Sequence, residues 1–344
     1  MKFKNVALES IHLHLPDEIW TSEAIERRIE SVYQKFRVSV GRLELMTGIR
    51  ERRVWGADFI PSAEAANAAR QVLDGSRISK QQIQLLIHCG VCRDKLEPAT
   101  AAYVHGMLEL DSGVQFMDLS NACLGFLNAM NVAACMIESG QIEHALLVTA
   151  ETSRELIENT LRAIQEPGMS RQRMKQYFAN LTIGSGAVAA ILTHRRHAPK
   201  SPRLVGAVTG ADSSHNTLCE GGSKQGAHEM LTDSEALLHA GIALAQKNWN
   251  QFQSMLGWSD SDVNHYVCHQ VGKMHQSALY EALQIDKNKD YSSYATLGNM
   301  GSAALPGTLA NAWKSGRFAA GDKVALLGIG SGISSIMMGL EWQS

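Results

Sequence analysis

Residues 144–150, HALLVTA, and residues 323–329, KVALLGI, are short apolar runs of strand length with the same punctuation before them. Each follows the end of an amphipathic helix, a Ser-Gly stop (Ser139-Gly140 and Ser315-Gly316) and a brief polar turn. The two runs stand 179 positions apart, and LLIHCG (85–90) stands 180 before HYVCHQ (265–270). GSGAVAAIL (184–192) and GSGISSIMM (330–338) form a further pair at the shorter offset of 146, which an insertion around 152–183 in the first half explains. One such match is within chance; an ordered series is a duplication.

Working outward, strands and helices alternate. The first half reads strand 83–91, helix 100–110, strand 114–120, helix 124–138 and strand 144–151. The second reads strand 263–271, helix 274–285, strand 292–296, a helix from about 301 to 314 and strand 323–332. This rhythm is that of an α/β protein with parallel sheets and helical crossovers. It divides the chain into 1–195, carrying the insertion 152–183, and 196–344. The insertion is polar, helical in pattern and broken at Pro167-Gly168.

The 344 residues are 45% hydrophobic and 19% charged with net charge −2, enough for two domains or one large duplicated fold and far from the disordered class. A near-neutral chain has no field to attract polyanions, so no nucleic acid is expected as partner. No apolar run reaches the roughly 20 residues of a membrane span. Glu9, His12, His14 and Asp17 interrupt any secretory core, so the expectation is a cytoplasmic protein.

Six cysteines stand at 89, 92, 123, 135, 219 and 268. Cys89 and Cys92 form a lone C-x-x-C with no second pair or His pair to complete a zinc site, and a small buried cysteine is the simpler reading. Cys123 differs by position. It falls in the strand-to-helix turn Asn121-Ala122-Cys123-Leu124-Gly125, at the start of a long apolar helix. Free N–H groups and the helix dipole there predict a lowered thiol pKa and a nucleophile; the alternative is one more core cysteine. His269, where the 263–271 strand ends, and Asn299, in the turn LGNMGSA (297–303), occupy comparable turns. Their N–H groups could hold a carbonyl oxygen as it becomes an enolate. The loop GIGSGIS (328–334) allows close backbone approach for a second oxyanion hole; as a dinucleotide loop it lacks the third glycine, with Ile333 in its place.

The duplicated halves, NACLGF (121–126), CHQVG (268–272), LGNMGSAALP (297–306) and the terminal GIGSG together resemble the thiolase superfamily, in its ketoacyl-ACP synthase III branch. The resemblance runs over nearly the whole chain, including TGIRERR (47–53). It implies a thiolase-like fold of duplicated βαβαβ halves in a five-layered αβαβα sandwich, a homodimer, and thioester condensation without a cofactor. It also implies that Cys123 carries the acyl group, that His269 and Asn299 stabilise the enolate, and that the Cys123 and Ser331 amides hold the first oxyanion.

Two departures bear on the reaction. Arg42 and Met46 stand where the family has an aromatic and an arginine that clamp CoA. In CRDKLEPATAA (92–102), Glu97 replaces a bulky apolar residue that reaches into the dimer mate's acyl tunnel. With the strand end Glu151-Thr152, this acidic turn resembles OleA-type synthases, which join two fatty acyl-CoA molecules head to head without decarboxylation, toward long-chain olefins or ketones. With no carboxylate to lose, a base must take a Cα proton, and Glu97 in an apolar tunnel, its pKa raised by burial, fits that need; the alternative is a solvated loop residue beside Arg93 and Lys95. Acyl carrier protein and downstream olefin-pathway enzymes are the further partners implied. Competing expectations are a decarboxylating synthase III using malonyl-ACP, an acyltransferase to another nucleophile, and an inactive partner subunit of a synthase.

Overall fold

A computed structural model describes residues 1–224, 227–269 and 271–343. Its body is one nine-stranded mixed sheet: β1 (Val6–His14), β2 (Leu85–His88), β3 (Gln115–Asp118), β4 (His144–Glu151), β5 (Gly186–His194), β6 (Arg203–Ala211), β7 (His265–Cys268), β8 (Lys323–Gly330) and β9 (Ser334–Glu341). The order β3-β2-β4-β5-β1 in the first half is matched by β7-β8-β9-β6 in the second, and the halves meet where Ala7 of β1 pairs with Arg203 of β6. The duplication read from the sequence is therefore a duplication of topology.

Two expectations are corrected. The sheet is mixed, not parallel: β2 pairs parallel with β3 and β4, and β7 with β8, but β5 and β9 run antiparallel to their neighbours. The 331–333 link between β8 and β9 is a hairpin turn, too short for a parallel crossover. The strand expected at 292–296 is instead a one-turn helix, Tyr294–Leu297. Here the second half's outer strand is reduced to one bridge between Tyr266 and Asp290. Ser293 O accepts from Leu297 N–H at 3.0 Å, Tyr294 O from Gly298 N–H at 2.9 Å, and Ala295 O from Arg50 N–H at 2.9 Å. Those bonds outweigh the strand reading of a five-residue stretch too short to fix a period.

The helices that pack on the sheets are α1 (Pro61–Asp74), α2 (Thr100–Met107), α3 (Gly125–Glu138), α4 (Arg154–Gln165), α5 (Arg171–Tyr177), α6 (Ser234–Leu256), α7 (Lys273–Leu283) and α8 (Ala304–Lys314). Buried strands alternate between two cores. Leu85, Ile87, Ala145 and Leu147 face α3 and α8, whereas Leu86, Leu146 and Val148 face α1 and α2. In the second half Val324 and Leu326 face α3 and α8, and Ala325 and Leu327 face α6 and α7. The period-2 alternation of apolar side chains on both faces thus makes five layers, helix–sheet–helix–sheet–helix.

The insertion forms α4 and α5 with a turn at Pro167-Gly168, as its pattern predicts. Its apolar stripe (Ile157, Leu161, Ile164, Met174, Tyr177) packs on Ile25, Ile29, Tyr33 and Leu43 in a core of its own. The hairpin Cys219–Lys224 and Ala227–Thr232 rests against it: Tyr177 Oη donates to Glu229 at 2.6 Å and Asn180 Nδ2 to Met230 O at 2.9 Å.

Candidate active site

Cys123 stands between β3 and α3. The turn is tight: Leu124 N–H donates to Asn121 O at 2.9 Å, and Ala122 is left-handed at φ 45°. That conformation costs a residue with a Cβ on the order of 1 kcal/mol. A Cβ on Gly125 would lie 2.1 Å from Cys89 O, so only glycine lets α3 begin against the end of β2. The expected depression of the thiol pKa is not found. Burial pushes Cys123 up to about 12, with Cys219 and Glu151 adding to the rise. Loss of water outweighs the helix start, and the thiol is neutral.

His269 follows β7 and is held by its N–H to Leu327 O at 2.9 Å. Burial, with His275 beside it, pulls the imidazole down to about 4, so it is neutral at physiological pH and can accept a proton. Its Nδ1 is buried without a partner among the described residues. The next residue of the CHQVG motif, Gln270, lies outside the described residues.

Asn299 is buried, and its backbone is clasped by residues 182–184: it donates to Thr182 O at 3.0 Å and accepts from Gly184 N–H at 2.8 Å. Gly301 N–H donates to its side chain at 3.0 Å. An N–H can only face the amide oxygen, so Nδ2 is left as the donor for a ligand.

Glu151 ties the Asn299 turn to the 91–99 loop. This buried carboxylate ends β4 and accepts from Val91 N–H at 2.9 Å, Cys92 N–H at 3.2 Å and Ser302 Oγ at 2.5 Å. Ser302 in turn accepts from Thr149 Oγ1 at 2.6 Å. One side chain therefore fixes the root of the 91–99 loop and the 299–302 turn, and its charge is felt at Cys123. The connecting roles of Glu151 and Ser302 were missed in the sequence. The available signal was an acid closing an otherwise apolar strand, HALLVTAE.

Ser331 lies in the turn between β8 and β9. Asn121 Nδ2 reaches Ser334 Oγ at 3.4 Å, and a Cβ on Gly330 would lie 3.0 Å from Leu124 Cγ, so this turn abuts that of Cys123. Glu97 does not join them within one chain. It is exposed on the 91–99 loop beside Leu96, which is 94% exposed, so the expected burial in an apolar tunnel is not met there. The loop's anchors turn it outward: Asp94 accepts from Ser62 Oγ at 3.1 Å, and Asp118 takes the Thr100 and Ala101 N–H groups at 2.8 Å. Arg42 and Met46 are also exposed, on the short helix Arg42–Thr47. That helix borders an open cleft of about 420 Å³ lined by Gly41, Glu44, Leu45, Gly48 and Lys273.

A mixed duplicated sheet with a cysteine, a neutral histidine and an asparagine donor at its turns is equipped for thioester chemistry. The 3-oxoacyl-[acyl-carrier-protein] synthase III family matches residues 117–213, and its C-terminal counterpart matches 254–342. The chain belongs to this family of thiolase-like acyltransferases. Within it, the similarity is to acyl-CoA:acyl-CoA alkyltransferases: 36% identity to that of Xanthomonas campestris pv. campestris and 36% to that of Shewanella oneidensis, each over 99% of this chain and 100% of the relative. A beta-ketoacyl-[acyl-carrier-protein] synthase III of Aliarcobacter butzleri is 28% identical over 95% of both chains. Cerulenin-bound Xanthomonas campestris OleA superposes with a TM-score of 0.96 at 35% identity, covering 99% of this chain and 98% of that one. Its solved variants include substitutions of a glutamate, a cysteine and a histidine.

Proposed function

We propose that the protein joins two fatty acyl-CoA thioesters head to head, without decarboxylation, to a 2-alkyl-3-ketoacyl product. The observation that carries this reading is the full-length similarity to acyl-CoA:acyl-CoA alkyltransferases. Glu97 and Cys123 are also spaced like the glutamate and cysteine substituted in the Xanthomonas OleA variants.

In the first step the Cys123 thiol gives its proton to neutral His269 as sulfur attacks the first thioester carbonyl. The Cys123 and Ser331 amides hold the oxyanion, and His269 returns the proton to the departing CoA thiolate. In the second, a carboxylate removes a Cα proton from a second acyl-CoA, and the enolate oxygen is held by His269 and Asn299 N–H groups. The enolate carbon attacks the acyl-Cys123 carbonyl, the C–S bond breaks, and the proton taken from Cα ends on the Cys123 sulfur. Every bond change is supplied by side chains, so the reaction as written requires no cofactor.

Glu97 acts as that base from a second copy of the chain. The edge strand β3 and the segments near it in sequence expose Val91, Leu96, Tyr103, Met107 and Phe116, apolar side chains suited to a homodimer contact, and Glu97 is exposed on the loop that carries Val91 and Leu96. CoA-linked substrates support a cytoplasmic location, and among the described residues no helix is long and apolar enough to cross a membrane. Acyl carrier protein donors and enzymes that consume the keto product are further partners of this reading.

The test is an incubation of purified protein with myristoyl-CoA alone, following CoA release and extracted lipid. A long-chain ketone or 2-alkyl-3-keto acid, absent in Glu97→Ala, is expected. Acylation of Cys123 that stalls until malonyl-ACP is added would return the protein to decarboxylating synthesis.

A further inference from the structure

Among the described residues, one grouping of three His, Cys, Asp or Glu side chains is disposed to hold a metal ion, and it lies at the other end of β4 from Glu151. At about 3.3 Å per residue along an eight-residue strand the two ends are roughly 23 Å apart. Glu143 precedes the strand, His144 begins it, and His197 lies just beyond the end of β5. Their donor atoms all fall within 4.8 Å of one another, and the two imidazole rings are 4.7 Å apart between centres. His197 Nε2 faces one oxygen of Glu143, and Arg196 covers the other.

The buried member is fixed for coordination. His144 is 4% exposed, and its Nδ1 meets Thr193 Oγ1 at 2.8 Å. Thr193 holds that ring nitrogen, and metal-ligating histidines are oriented in this way by a neighbouring group on one nitrogen while the other faces the metal.

We propose that Glu143, His144 and His197 bind a divalent transition metal of the zinc class, pinning the start of β4 to the chain that leaves β5. Two imidazoles and a carboxylate suit zinc and its neighbours and not magnesium or calcium, which take oxygen ligands. Zinc bonds of about 2.0–2.1 Å place tetrahedral donors about 3.4 Å apart, a modest contraction from the present spread. The partly exposed Glu143 and His197 can make that movement, and Arg196, exposed at 58%, can swing away as the metal takes over the carboxylate charge. Water completes the fourth position. The site is apart from the condensing chemistry and rests on none of its assignments.

The test uses the full chain stripped with EDTA and titrated calorimetrically with zinc chloride, with magnesium chloride as control. Melting is followed in parallel. One equivalent of zinc should bind and raise the melting temperature, while magnesium does neither. Because His144 is buried and its loss can unfold the strand, the variants are His197→Gln and Glu143→Gln, each expected to weaken zinc at least tenfold with activity unchanged. Zinc binding undiminished in both variants, or none at micromolar zinc in the wild type, overturns the site.

Discussion

Glu151→Gln isolates the carboxylate that joins the two working turns. In the wild type one oxygen receives Val91 N–H and Ser302 O–H and the other receives Cys92 N–H. A glutamine presents one oxygen and one NH2, so at least one buried N–H meets a donor and loses its partner. That orphaned group costs about 1–3 kcal/mol, and the surviving bonds, no longer charge-assisted, lose roughly 1 kcal/mol between them. The sum is about 3 kcal/mol, or a fall of about 4 °C in melting temperature at roughly 2.1 cal/mol/K of unfolding entropy per residue. Ser302→Ala removes two bonds, the one it donates to Glu151 and the one it accepts from Thr149, and should cost about 1–3 kcal/mol. In single-turnover assays with acyl-CoA, Glu151→Gln should still acylate Cys123 but lose condensation, because the displaced loop carries Glu97 and the displaced turn carries Asn299. Melting by calorimetry and turnover by mass spectrometry read both effects. A variant as stable as wild type that condenses at the wild-type rate refutes the linking role.

Three other outcomes are expected. Since burial holds the Cys123 thiol up at about 12, its alkylation by iodoacetamide should rise about tenfold per unit over roughly pH 7 to 10; a plateau below pH 8 contradicts the neutral thiol. His269, pulled down to about 4 by burial, is neutral when folded and titrates near 6.5 when unfolded, so its stabilising contribution is complete above about 6.5 and is lost as pH falls toward 4; equilibrium urea unfolding of wild type against His269→Asn measures that slope. Gly184→Ala puts a Cβ 1.9 Å from Leu297 O and should cost about 3 kcal/mol or more in urea, whereas Gly106→Ala in α2, with nothing within 4 Å, should be neutral or stabilise by about 0.5–1 kcal/mol.

The sequence carried the parts of the fold that repeat. β4 and β8 were legible because both faces of each are buried and the runs are continuously apolar, and Cys123 because its turn links a strand to a buried helix. What it did not carry depends on distant contacts. Residues 292–296 read as a short strand, yet Arg50, far away in the chain, takes the Ala295 carbonyl and the stretch is a helical turn. The rise in the Cys123 thiol comes from burial and from Cys219 and Glu151, brought near only by folding. Glu97 was legible as an unusual acid, but its surroundings in one chain are solvent. The Glu151–Ser302 bond joins residues 151 positions apart and left no local pattern.

The dimer account of Glu97 has a direct readout. Glu97→Ala and Cys123→Ala chains, each inactive alone, should regain condensation when mixed and refolded, and continued inactivity of verified hybrid dimers contradicts a base supplied by the partner. The central claim is tested most directly by competition. Acyl-CoA labelled isotopically at its thioester carbonyl carbon is supplied with unlabelled malonyl-ACP, and the quenched ketoacyl product is weighed by mass spectrometry. Non-decarboxylative head-to-head condensation predicts two labelled carbons and both full acyl chains in each product molecule. A product with one labelled carbon, longer than the substrate by two carbons, would contradict it.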